Sequence, residues 1–152
     1  MTKNVYSTDG VEPGRFRPHG RVEYEEQGNI LFTKAWGPFN IELVTALETL
    51  VKSLFPVMTS KGKWVNIAVF EESALASYEV LGTLREMAKL VLQLNIAPAC
   101  IAFVFRPEVE GAKLMAPLFE KYVNDGGIPC KTFASSDLAE KWAMSFISQA
   151  VQ

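Results

Sequence analysis

Ala99-Cys100-Ile101-Ala102-Phe103-Val104-Phe105 is a run of seven apolar residues, preceded by Pro98 and closed by Arg106-Pro107-Glu108. A strand that is apolar at every position must be covered on both faces, as the inner strands of a parallel sheet are. A second run, Trp64 to Phe70, is almost continuously apolar and suits the same cover. Helical spacing surrounds both. From Ile41, apolar residues recur at Val44, Leu47, Val51 and Leu54, with Asn40 placed to cap that helix and Pro56 to end it. Between the two runs, Leu81, Leu84, Ala88 and Val91 form a stripe widened by Val80, Met87, Leu90 and Leu94. Such breadth predicts a deeply buried helix, which Asn95 and Pro98 break. A third helix follows with Met115, Leu118, Phe119 and Tyr122 inward, and Asn124-Asp125-Gly126-Gly127 stops it. Cys130 to Phe133 reads as a short last strand. Ser135 or Ser136 then caps a helix whose inner face is Ala139, Trp142, Ala143, Phe146 and Ile147.

Upstream, Arg21-Val22-Glu23-Tyr24-Glu25 alternates polar and apolar residues, the pattern of a half-exposed edge strand. Gln27-Gly28-Asn29 turns it into Ile30 to Trp36, completing a hairpin. Residues 1–18 mix Gly, Pro, Ser and Asp without periodicity and read as a flexible N-terminal arm, partly disordered or draped over the body. The expected fold is therefore a single α/β domain over residues 19–152, in the order ββαβαβαβα. Its sheet is open and mostly parallel, with one antiparallel strand from the hairpin.

Composition bounds the function. The chain has 152 residues, 49% of them hydrophobic, enough for one core. Fifteen Lys and Arg against seventeen Asp and Glu leave a net charge of -2, without the basic footprint of a nucleic-acid binder or a polybasic membrane patch. No apolar run is long enough to span a bilayer, and Met1 to His19 lacks the apolar stretch of a secretory signal. Cys100 and Cys130 form no CxxC motif and read as buried, reduced thiols, consistent with a cytoplasmic setting. His19, the only histidine, lies in the arm, so a Ser-His or Cys-His catalytic pair would need it folded back onto the body. Neither GxGxxG nor GxxxxGK[ST] occurs, and the acids form no pair with catalytic or metal-binding spacing. No cofactor, metal or catalytic residue is expected.

Parallel strands place their following loops at one sheet edge, where open α/β folds bind ligands. That rim would gather Asn40, Glu71, Glu72, Tyr78, Arg106, Ser135 and Ser136 as candidate ligand or partner residues. Asn40, Ser77 and Ser136 can equally be helix caps, and Arg106 can pair with Glu71, Glu72 or a ligand. Trp36, Phe39 and Trp64 can be core, partner surface or lid, with core the default for two of the three.

Several features together resemble the SpoIIAA-like superfamily, whose members include STAS domains and anti-anti-sigma factors, and within it the bacterial stand-alone STAS/SEC14-like branch. They are Gly28-Asn29-Ile30-Leu31 leading to Gly37-Pro38-Phe39-Asn40, the Trp64 strand with its serine-bearing loop, the strand Ala99 to Phe105, and Ala139-Glu140-Lys141-Trp142. The resemblance spans roughly residues 20 to 148. It implies a non-enzymatic regulatory or protein-interaction module. It also implies a regulatory serine at the start of the helix after the central strand, here Ser77 or, second, Ser73. Ala76 stands where the family carries an Asp. The alternative is a small-molecule or lipid carrier, because the excess of Phe, Leu, Met and Val on the helices can leave an apolar cavity against the sheet. A homodimer through the edge around Val22 and Tyr24, or through a helix face, is a further expectation.

Overall fold

The structure, a computed structural model, describes residues 5–11 and 19–148. Among these, six strands form one sheet: β1 (Val5–Ser7), β2 (Arg21–Gln27), β3 (Ile30–Trp36), β4 (Val65–Glu71), β5 (Ile101–Val104) and β6 (Cys130–Phe133). Four α-helices accompany them: α1 (Ile41–Ser60), α2 (Tyr78–Gln93), α3 (Ala112–Asp125) and α4 (Ser136–Ser148). The spatial order of the strands is the chain order, β1 to β6. β3, β4, β5 and β6 are parallel, and β2 runs against both of its neighbours.

Right-handed crossovers between adjacent parallel strands put every crossover helix on one face. α1, α2 and α3 do share a face, packing over Tyr24, Leu31, Ala68 and Phe103. α4 covers the other, over Ile30, Val65, Ile67, Cys100, Ala102 and Val104. The two apolar runs thus become inner strands with a helix layer on each side.

Three local expectations change. Arg21 to Glu25 is not an edge, because β1 supplies a sixth strand with Tyr6 opposite Tyr24. The pairing is pinned by Thr8, whose buried hydroxyl accepts a hydrogen bond from the Val22 N–H at 3.0 Å. The element order is therefore βββαβαβαβα. Val22 and Tyr24, each only 5% exposed, are not free to pair with a second copy. Residues 1–4 and 12–18 of the expected arm lie outside the described residues. Pro56 does not end α1. It is exposed, so the carbonyl left without a donor can meet water, and the helix runs on to bury Met58.

The free edge at β6 is closed by side chains. Asn124 accepts from the Cys130 N–H and donates to the Cys130 carbonyl, both at 2.9 Å. Glu120 accepts from the Thr132 N–H at 2.8 Å. These are the backbone groups that another strand would otherwise pair with.

Candidate functional site

The rim gathers the expected residues, but the protein uses most of them itself. Asn40 caps α1, its Oδ1 accepting from Leu43 N–H at 3.0 Å and from His19 N–H at 2.8 Å. His19, expected in a loose arm, is therefore tied to the rim through its backbone. Ser77 caps α2 through Val80 N–H at 3.2 Å, and Ser135 rather than Ser136 caps α4 through Leu138 N–H at 3.3 Å. Ser77, Tyr78 and Ser136 are exposed, whereas Ser73 is buried with its Oγ accepting from Leu75 N–H. Arg106 pairs with Glu71, and Glu108 stands 3.6 Å from its Nε. Trp64 is core and Phe39 packs on Phe70. Trp36 lies half-buried on the α4 side of the sheet beneath the Arg21 guanidinium.

Backbone hydrogen bonds lace the rim loops together. Gly37 N–H donates to the Ser73 carbonyl and Phe39 N–H to the Leu75 carbonyl, both at 2.9 Å. Glu72, in left-handed backbone at φ 61°, offers its carbonyl to Glu110 N–H, and Ala74 N–H donates to the Glu110 carbonyl. The loops after β3, β4 and β5 thereby extend the sheet instead of splaying around a crevice.

An open groove of about 430 Å³ remains on the rim between the ends of β5 and β6 and the start of α3, lined by Phe105, Pro107, Lys113 and Phe133. A more apolar space lies deeper. A cavity of about 120 Å³ sits between α1, α2 and the sheet. Small residues make room for it: Ala35 on β3, Ala68 on β4 and Ala88 on α2 all line it. Aromatic rings wall it, including Tyr24, Phe55, Phe70 and Phe103. Leu47 of α1 and Leu84 and Met87 of α2 also line it and are only half-buried, which puts its mouth in the seam between these helices.

Polar groups reach this lining from three neighbouring strands: Tyr24 on β2, Thr33 on β3 and Asn66 on β4, respectively 5%, 6% and 6% exposed. Tyr24 and Thr33 are directly opposite in the ladder. Asn66 Nδ2 donates to the Leu31 carbonyl at 2.8 Å and to Thr33 Oγ1 at 2.7 Å. Burial raises the Tyr24 phenol well above its ordinary value, so it stays neutral at physiological pH.

Compared with known proteins, the chain matches no family model, no curated protein and no solved structure. The side chains themselves therefore carry the functional reading. Sequence patterning missed Tyr24, Thr33 and Asn66 as a group. The signal was an amide inside the apolar run Trp64 to Phe70, a position that a polar residue occupies only if it is satisfied or used.

Both thiols are buried away from this cavity's lining. Burial pushes the Cys100 thiol up to about 12 and also raises Cys130. An unfolded thiol loses its proton near about 8.5, so from there up to about pH 12 the folded chain binds more protons. Stability is therefore full below the unfolded value and falls as pH rises through that window. The urea midpoint is expected to drop between pH 8 and pH 10, and a thiol reagent at pH 8 to label the chain only after denaturation. Immediate labelling of native protein would contradict this burial.

Among the described residues, no helix is long and apolar enough to cross a membrane.

Proposed function

We propose that this protein binds a compact, uncharged and largely apolar small molecule between α1, α2 and the sheet. The observation that carries the reading is the apolar cavity of about 120 Å³, with its mouth at the α1–α2 seam. An engineered cavity of about 150 Å³ takes up benzene, so the space suits a ligand of that order. The polar groups on its lining are an amide, a hydroxyl and a neutral phenol, which suit recognition of an uncharged molecule and offer no countercharge to an ion.

Benzene titration followed by amide chemical shifts tests the role. The expected shifts cluster at residues around the cavity, and ligand at 100 times its Kd adds about 2.7 kcal/mol of stability. Ala68→Leu fills the floor and should abolish both effects. Wild-type protein unmoved by benzene and by xenon would end the reading.

A second reading is a STAS-like regulatory module that docks a protein partner. It is favoured by the exposure of Ser77 and Tyr78 at the start of α2, where the resemblance sets the regulated serine. Asp and Asn cap helices equally well, so Ser77→Asp and Ser77→Asn separate charge from capping. A partner lost only with Ser77→Asp supports regulation at this position; equal binding by both variants counts against it.

A further inference from the structure

Two groups of aromatic rings border the cavity, and they do not meet each other. In the first, Phe55 of α1 holds Tyr24 edge-on at 6.3 Å and Trp64 at 4.9 Å. In the second, Phe70 of β4 gathers Phe39, Phe103, Phe105 and Phe119 at centroid distances of 4.3–5.9 Å. Among the described residues, no ring of one group contacts a ring of the other. Yet both groups line the same space. Tyr24 and Phe55 reach it from the first, and Phe39, Phe70, Phe103 and Phe119 from the second.

Such a lining selects by chemistry. An aromatic ring has a negative face and a positive edge, and rings settle edge-on or offset with centroids about 4.5–7 Å apart. An arene in the cavity offers both edge and face, so it extends each group by one member. A saturated hydrocarbon has no quadrupole to match and keeps only the hydrophobic gain. Met87 at the mouth adds to the bias, because a thioether sulfur makes favourable contacts with aromatic rings. No charged side chain lines the cavity, so a carboxylate or ammonium on the arene would be buried without a countercharge.

Building on the binding role proposed above, we infer that the ligand class is a neutral arene of a single six-membered ring. The size follows from the cavity, and the ring follows from its walls. Bound there, the arene joins the Phe55 group to the Phe70 group.

The test compares benzene with cyclohexane, alike in carbon number, by chemical-shift titration of the intact chain. One ring pair changes affinity by roughly two- to twelvefold, and the arene gains a partner in each group. Benzene is therefore expected to bind at least about fivefold more tightly. Phe55→Leu keeps the wall apolar but removes a ring, so the ratio should fall by about threefold or more. Phe103→Leu does the same in the second group and serves if Phe55→Leu does not fold. Val51→Ala widens the α1 wall without removing a ring, and its ratio should stay within about twofold of wild type. Cyclohexane bound by wild type as tightly as benzene would overturn the ligand class and leave the binding role standing. Binding of neither would overturn both. A ratio unchanged in both leucine variants, or lost equally in Val51→Ala, would overturn the assignment of the preference to the rings.

Discussion

Phe70→Ala is expected to lower the unfolding free energy by about 3–5 kcal/mol and the melting temperature by roughly 10 °C. Phe70 is 3% exposed and is the hub of the aromatic core. Its ring stacks on Phe105 at 4.3 Å, meets Phe119 at 4.9 Å and Phe103 at 5.5 Å edge-on, and reaches Phe39 at 5.9 Å. These partners come from β5, the segment after it, α3 and the loop before α1. No single element can move inward to close the hole without leaving the others, so the cost belongs at the high end for a buried ring. Phe70 also lines the cavity, so the same variant should admit a larger apolar ligand. Urea denaturation with thermal melting gives the first number. A loss under about 1 kcal/mol would mean that the helices collapse over the gap, against the usual behaviour of large-to-small changes.

Gly126→Ala is expected to cost about 2 kcal/mol, although local propensity argues the other way. Gly126 has right-handed backbone, φ -74° and ψ -11°, where alanine is normally the better residue. A Cβ there would lie 2.6 Å from Ala88 Cβ and 2.7 Å from the Arg85 carbonyl oxygen of α2. Neither atom is at the end of a flexible chain, so α3 must move away from α2, and overpacking of this kind costs about 1–3 kcal/mol. Gly82, inside α2, is the internal control: a Cβ there meets nothing within 4 Å. Gly82→Ala should gain about 0.8–1 kcal/mol from propensity alone. Opposite signs for the two variants, measured by the same denaturation curves, are the expected result. A stabilising Gly126→Ala would show that the α2–α3 contact is looser than the geometry states.

Much of the architecture could be read along the chain. The run Trp64 to Phe70 becomes Val65–Glu71, and Ala99 to Phe105 contains Ile101–Val104. Their apolar character, interrupted only by Asn66, pointed to cover on both faces, and helices supply it. The four stripes of helical spacing mark the four helices, and Asn40 and Ser77 are caps as their chemistry allows. β1 escaped notice because Val5-Tyr6-Ser7 is too short to show a period. It is a strand only because β2 offers it an unpaired edge. Pro56 misled because its effect depends on whether the orphaned carbonyl meets water, and that depends on which way the helix faces.

The candidate site was less legible. The lacing of the rim loops depends on backbone groups of Gly37, Glu72, Ala74 and Glu110 meeting across loops far apart in sequence. The cavity depends on Ala35, Ala68 and Ala88 coming together from three elements.

The linear order of side chains determined what local periodicity can encode: which segments are strands or helices, and that the parallel strands are covered on both sides. Those properties follow from 2.0- and 3.6-residue repeats, which each segment carries without knowing its neighbours. Only the tertiary structure decided where small side chains coincide to leave a hollow, and that Tyr24, Thr33 and Asn66 reach its lining from three strands. Volume and hydrogen-bond satisfaction are sums over everything that surrounds a point in space, and no stretch of the chain contains that sum.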